Sequence, residues 1–127
     1  MVGSSAVNTI VYGVAPIAKT ATTNGTGIDL ANYGSNMLTF AFGVCTDGTF
    51  ALKIQESDDN STFTDVAAAD QIGSLSNVTS SSGGGATQSV GYIGAKRYVR
   101  HVFTVTGSPA TGCVVAAWAT LGRPHKA

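Results

Sequence analysis

The sequence predicts an all-β chain, a single-domain antiparallel β-sandwich of the jelly-roll kind, and three observations predict it. Large apolar side chains recur at every second position in several segments, the period of a pleated strand. Turn residues break these segments every 8–12 positions, the spacing of sandwiches and barrels. No segment carries the i, i+3, i+4 apolar stripe of an amphipathic helix, and residues 65–75 offer at most one helical turn.

From the N-terminus, residues 1–6 read as a flexible or extended arm, and short strands are expected at 7–12 and 28–30. Over 37–44, Leu38, Phe40, Phe42 and Val44 share one face, against Met37, Thr39, Ala41 and Gly43. Over 49–55, Phe50, Leu52 and Ile54 alternate with Thr49, Ala51, Lys53 and Gln55. Between the two runs lies Asp47-Gly48, and Asp-Gly predicts a two-residue hairpin turn with positive φ at Gly48. Short strands follow at 63–66 and 89–93, separated by a low-complexity segment at 76–87 with SSSGGG inside it, expected to be a mobile loop. A second strand pair closes the chain. Residues 97–106 (RYVRHVFTVT) end at Gly107-Ser108-Pro109, and 113–121 (CVVAAWATL) are apolar on both faces. That last run predicts a central strand covered on both sides, with Trp118 a core anchor against Phe40, Phe42 or Phe50. Residues 122–127 form a tail.

Composition narrows the function classes. At 127 residues with 43% hydrophobic content, the chain is long and apolar enough to bury a core as one domain. Charged residues are 11%, against roughly 25% in soluble domains, which points to a surface covered by partners. Net charge is zero but unevenly spread. Asp47, Glu56, Asp58, Asp59, Asp65 and Asp70 occupy the middle, whereas Lys96, Arg97, Arg100, Arg123 and Lys126 follow with no acid after Asp70. Two readings stand open: a docking surface for an acidic partner face, or halves that interleave on folding and cancel. If the first holds, Tyr98 and Arg100 share one strand face while Arg97 points the other way with Val99 and His101. Cys45 and Cys113 have no framework spacing; both sit in apolar runs, where a disulfide is compatible but not implied. MVGSSAVNTIVYG lacks a basic region followed by an apolar core, so no secretory signal is expected, and no run reaches the ~20 apolar residues of a membrane helix.

A search for chemistry finds little, and the expectation is a chain that is not an enzyme, with no catalytic residues, cofactor or metal. His101 alternates with Val99, Phe103 and Val105, which makes it a core or interface residue rather than a base; His125 lies in the tail. Neither histidine has a partner at zinc-ligand spacing. Glu56-Ser57-Asp58-Asp59-Asn60-Ser61 departs from a calcium loop, because Phe63 and Ala69 stand where Gly and Glu are required, and it reads as a solvated, self-capped turn. Gly25-Thr26-Gly27 and Gly83-Gly84-Gly85 lack the remaining residues of phosphate-binding loops. Lys96, Arg97, Tyr98 and Arg100 come nearest to a nucleic-acid face, but zero net charge argues against one.

IQESDDNSTFTDV (54–66), VGYIGAKRYVRHVFTVTG (90–107) and the closing TLGRPHKA (120–127) resemble a group of capsid cement or decoration proteins of tailed bacteriophages, as in podoviruses such as those infecting Bordetella. In that group an xQxSxDxxTaxDV hairpin (a being aromatic) precedes a YxGxxRYVR strand and an LGxPR-like end. The resemblance spans about residues 45–125; Pro124-His125 departs from the usual Pro-Arg. It implies a jelly roll and homo-oligomers, dimers or trimers, clamped on the capsid exterior. The expected partners are the major capsid protein and other copies of the chain, not nucleic acid or membrane; the chain is made in the host cytoplasm and ends in the virion. Lys96, Arg97, Arg100 and Arg123 are the expected partner-facing residues. Competing readings are a tail or baseplate β-sandwich subunit and a carbohydrate-binding module, the latter requiring exposed aromatics on one sheet face.

Overall fold

The computed structural model describes residues 8–31, 33–80 and 86–122. The expected arm at 1–6, residues 81–85 of the 76–87 loop and the tail beyond Gly122, with Arg123 and His125, lie outside the described residues. The strands are β1 (Asn8–Lys19), β2 (Thr23–Asn24), β3 (Ile28–Asp29), β4 (Ser35–Cys45), β5 (Thr49–Ser57), β6 (Thr64–Asp65), β7 (Gln71–Ile72), β8 (Thr87–Tyr92), β9 (Tyr98–Thr106) and β10 (Cys113–Gly122). One 3-10 turn, Ala68–Asp70, falls where a single helical turn was the most the sequence allowed.

The strands form two antiparallel sheets. The first runs β1-β10-β4-β8-β7; the second runs β2-β9-β5-β6, with β3 also on β9. Successive strands mostly alternate between the sheets, and only β5–β6 and β7–β8 are sequence neighbours that pair. With β2 and β3 taken as one interrupted strand beside β9, and β7 as an added edge, the remaining strands run in the order of the expected jelly roll. The xQxSxDxxTaxDV segment is indeed a hairpin, with Gln55 opposite Asp65 and Glu56 opposite Thr64.

That winding corrects two expectations. The Asp47-Gly48 turn is no hairpin: β4 and β5 lie in different sheets, so residues 46–48 arch across the sandwich. Gly48 does have positive φ, +86°, and a Cβ there would also fall 2.8 Å from Pro109. Likewise β9 and β10 do not pair but are joined by an arch over residues 107–112. A two- or three-residue turn with Gly serves an arch as well as a hairpin, so turn chemistry could not choose between them.

The core is an aromatic ladder between sheets. Phe40 and Phe42 of β4 meet Phe103 of β9 edge-on, with ring centroids 5.4 and 5.6 Å apart, and Phe42 meets Phe50 of β5 at 6.0 Å. All four rings are 2% exposed or less. Such perpendicular pairs add to the burial energy of each ring. Below SSSGGG the chain is anchored: Val78 exchanges two backbone hydrogen bonds of 2.8 Å with Phe50 and is 1% exposed. Expected strand 7–12 runs on to Lys19, through register shifts at Tyr12/Val14 and Val14/Ile17 and across Pro16, which an edge strand tolerates.

Candidate docking surface

Parity along β10 separates two sets of side chains. Cys113, Val115, Ala117, Ala119 and Leu121 point into the core, and Val114, Ala116, Trp118 and Thr120 point out. The strand is central, as expected, but covered on one side only. Trp118 therefore corrects the core-anchor expectation. It stands part-exposed on the outer face of the first sheet, edge-to-face with Tyr12 of β1 at 6.2 Å and 76°. Both faces of CVVAAWATL are apolar, so period-2 alternation could not say which one the core would take.

The rest of that outer face follows from register. Thr39 and Ala41 of β4 lie opposite Trp118 and Ala116, and Met37 lies opposite Thr120. Ile10 lies opposite Thr120 on the other side. Ser89 of β8 lies opposite Thr39, and their hydroxyls hydrogen-bond at 2.9 Å. Ile72 of β7 lies opposite Gly91, where a Cβ would approach it to 3.4 Å. Ile10 is 63% exposed, Tyr12 54%, Met37 50%, Ile72 62% and Val114 42%. No described residue on this face carries a charge. A broad uncharged sheet face rimmed by exposed large apolar side chains is the surface expected of a protein that works against another surface.

The basic run lies elsewhere and is engaged within the chain. The strand begins at Tyr98, so Arg97 does not alternate inward with Val99 and His101. It grips Asp29 of β3 with two hydrogen bonds, 2.9 Å from Nε and 2.7 Å from Nη2. This fork holds the Asp29 carboxyl down at about 2. Lys96 pairs with Asp58 at 2.8 Å. Arg100 donates to Gln55 at 2.9 Å and lies over the Phe63 ring at 4.2 Å. Lys53 pairs with Asp65 at 3.0 Å. Lys96–Asp58 joins the basic end to the acidic middle, Arg97 turns instead to the earlier Asp29, and Arg100 to a neutral Gln55, so the basic run is occupied by contacts within the chain.

His101 is a core residue. It is fully buried, its Nε2–H donates to the Trp118 carbonyl at 3.0 Å, and burial pushes it down to about 4. A Cβ on Gly13 would come within 2.6 Å of its Nδ1, so the neutral ring fills the space that Gly13 leaves. The acidic loop caps itself: the Ser57 hydroxyl accepts from Asp59 and Asn60 N–H, and Asp59 Oδ1 accepts from Ser61 and Thr62 N–H. Those bonds hold the Asp59 carboxyl below its ordinary range. Among the described residues no group of three His, Cys, Asp or Glu side chains is placed to hold a metal ion. Tyr92 ties the sheets together, donating to Glu56 at 2.7 Å and accepting from Lys96 N–H; burial first, then that carboxylate, push its hydroxyl up to about 12.

No protein-family model and no curated protein matches the chain. Among solved structures, the crystal structure of PBSX exported protein XepA is similar to it, with a TM-score of 0.59 and 22% sequence identity. That alignment covers 100% of this chain and 40% of the other, so the chain spans well under half of that protein's length. At this identity the likeness shows a shared fold.

Proposed function

We propose that the chain is a non-enzymatic structural protein of a tailed-phage particle, a cement or decoration protein. It lies on the capsid exterior with the uncharged face of the first sheet against capsid protein and with copies of itself alongside. The observation that carries this reading is that face, apolar at its rim, small at its centre and free of charge among the described residues. Burying it costs no charge desolvation, and multivalent attachment multiplies modest contacts. The jelly roll, the resemblance of residues 45–125 to cement proteins, and a fold shared with PBSX exported protein XepA support the reading.

Tyr12 and Trp118 also meet one requirement of a carbohydrate-binding module, exposed aromatics on a sheet face. Their rings stand at 76° to one another, which leaves no flat shelf for sugars to stack on, so a protein partner is favoured. The test is co-sedimentation with undecorated capsids. Ala116→Glu and Thr120→Glu, each placing a charge on the face, should retain the fold and weaken attachment by about 2–5 kcal/mol, the cost of an unpaired interfacial charge. Wild-type attachment by both variants, or binding to glycans or isolated tails but not capsids, overturns the proposal.

A further inference from the structure

We infer that the Cys45–Cys113 pair is a lock that closes after folding, on a sandwich that has already formed without it. Cys45 ends β4 and Cys113 begins β10; the two face each other in register and are bonded. From this point both chains leave for the second sheet, and the arches lie on one another without help from sulfur. Thr46 N–H donates to the Gly112 carbonyl at 2.9 Å. The Asp47 carboxylate accepts from the N–H of Ala110 at 2.9 Å, from Thr111 at 3.2 Å, and from Gly112. These bonds, Gly112's first among them, hold that carboxyl below its ordinary range. Gly112 has φ +72°, and a Cβ there would overlap the Lys19 carbonyl, so a side chain at this position would push the 107–112 arch away from the end of β1.

Polar contacts alone therefore bring the two sulfurs together, and the dithiol chain reaches the same fold. Cys113 is 1% exposed while Cys45 is part-exposed, so an oxidant reaches Cys45 first. The Cys45 thiolate attacks a small-molecule disulfide, forms a mixed disulfide and releases one thiol. The Cys113 thiolate then attacks the Cys45 sulfur and releases the second thiol. Two cysteine thiols are oxidised and one small disulfide is reduced. Disulfides form and persist outside the cytoplasm, and this one closes a loop between positions 68 apart, which strongly constrains the unfolded chain.

The experiment purifies the full chain from a reducing cytoplasm, blocks free thiols with N-ethylmaleimide, and treats an unblocked sample with oxidised glutathione. The expected result is a folded dithiol protein carrying one maleimide, on Cys45, and a second only after denaturation. Glutathione should convert it to a disulfide form melting roughly 10 °C higher. Cys113→Ser should trap glutathione on Cys45, and Cys45→Ser should remain unmodified while folded. An unfolded dithiol chain, or preferential glutathione capture at Cys113, overturns the inference.

Discussion

The two outer sheet faces cover the same core, yet they hold their side chains in place by different means. On the second sheet, Lys53–Asp65, Arg97–Asp29 and the Arg100–Gln55 bond form a charged lattice across β3, β9, β5 and β6. On the first, the cross-strand contacts are the Thr39–Ser89 hydroxyl pair and the Tyr12–Trp118 edge contact. Charge on an exposed sheet keeps it solvated and discourages association. Charged residues are only 11% of the chain, and among the described ones all but Lys19, at the end of edge strand β1, lie on the second sheet or in loops. The lesson is that low charge content here is regional, and the region without charge is the one to examine for partners.

The largest expected effect removes what both faces share. Phe103→Ala takes out the ring that Phe40 and Phe42 pack against, and should lower stability by about 3–5 kcal/mol in urea denaturation. A midpoint within error of wild type would mean the ladder does not hold the sheets together.

Next comes His101, whose ring spans from β9 to the β10 backbone. Its value in the fold, about 4, lies below its ordinary 6.5, so the fold prefers the neutral ring. Stability is fully present above pH 6.5 and falls as pH drops from there to about 4, by about 3 kcal/mol in all. The lowered carboxyls, Asp29, Asp47, Asp59 and Asp65, contribute their loss only below that window. His101→Leu should give a flat profile between pH 6.5 and 4 whatever its absolute stability; a slope like that of wild type would assign the dependence to another group.

Trp118→Ala sharpens the comparison. Because the ring is part-exposed on the outer face rather than in the core, the loss should be about 1–2 kcal/mol, with near-complete loss of capsid attachment. A cost of core size would return Trp118 to a packing role. The smallest effect is expected on the charged face. Lys53→Glu and Arg97→Ala alter half-exposed pairs, so neither the melting temperature nor co-sedimentation should move appreciably. Loss of attachment by Arg97→Ala would move the docking surface to the second sheet.

Much of the fold was legible. Alternation placed β4, β5, β9 and β10 within a few residues, set Phe40 and Phe42 on one strand face and Phe50 on another, and made His101, alternating with Phe103, a core or interface residue. The two-residue strands β2 and β7 went unseen, since two residues carry no period. The docking face was legible only as a shortage of charge; its residues come from β1, β10, β4, β8 and β7, strands adjacent in space and scattered in sequence.

By itself, then, the sequence determined that the chain would be pleated strands with a shared apolar interior and tight glycine turns, because these are properties of neighbouring residues. Only the tertiary structure decided which sheet each strand joined, which apolar side of β10 stayed outside, and which acid each base would meet. A period of two says that a strand has two sides, but only the strand opposite decides which is buried. Arg97 and Asp29, 68 positions apart, are brought together by the register of β3 on β9, which no local pattern encodes.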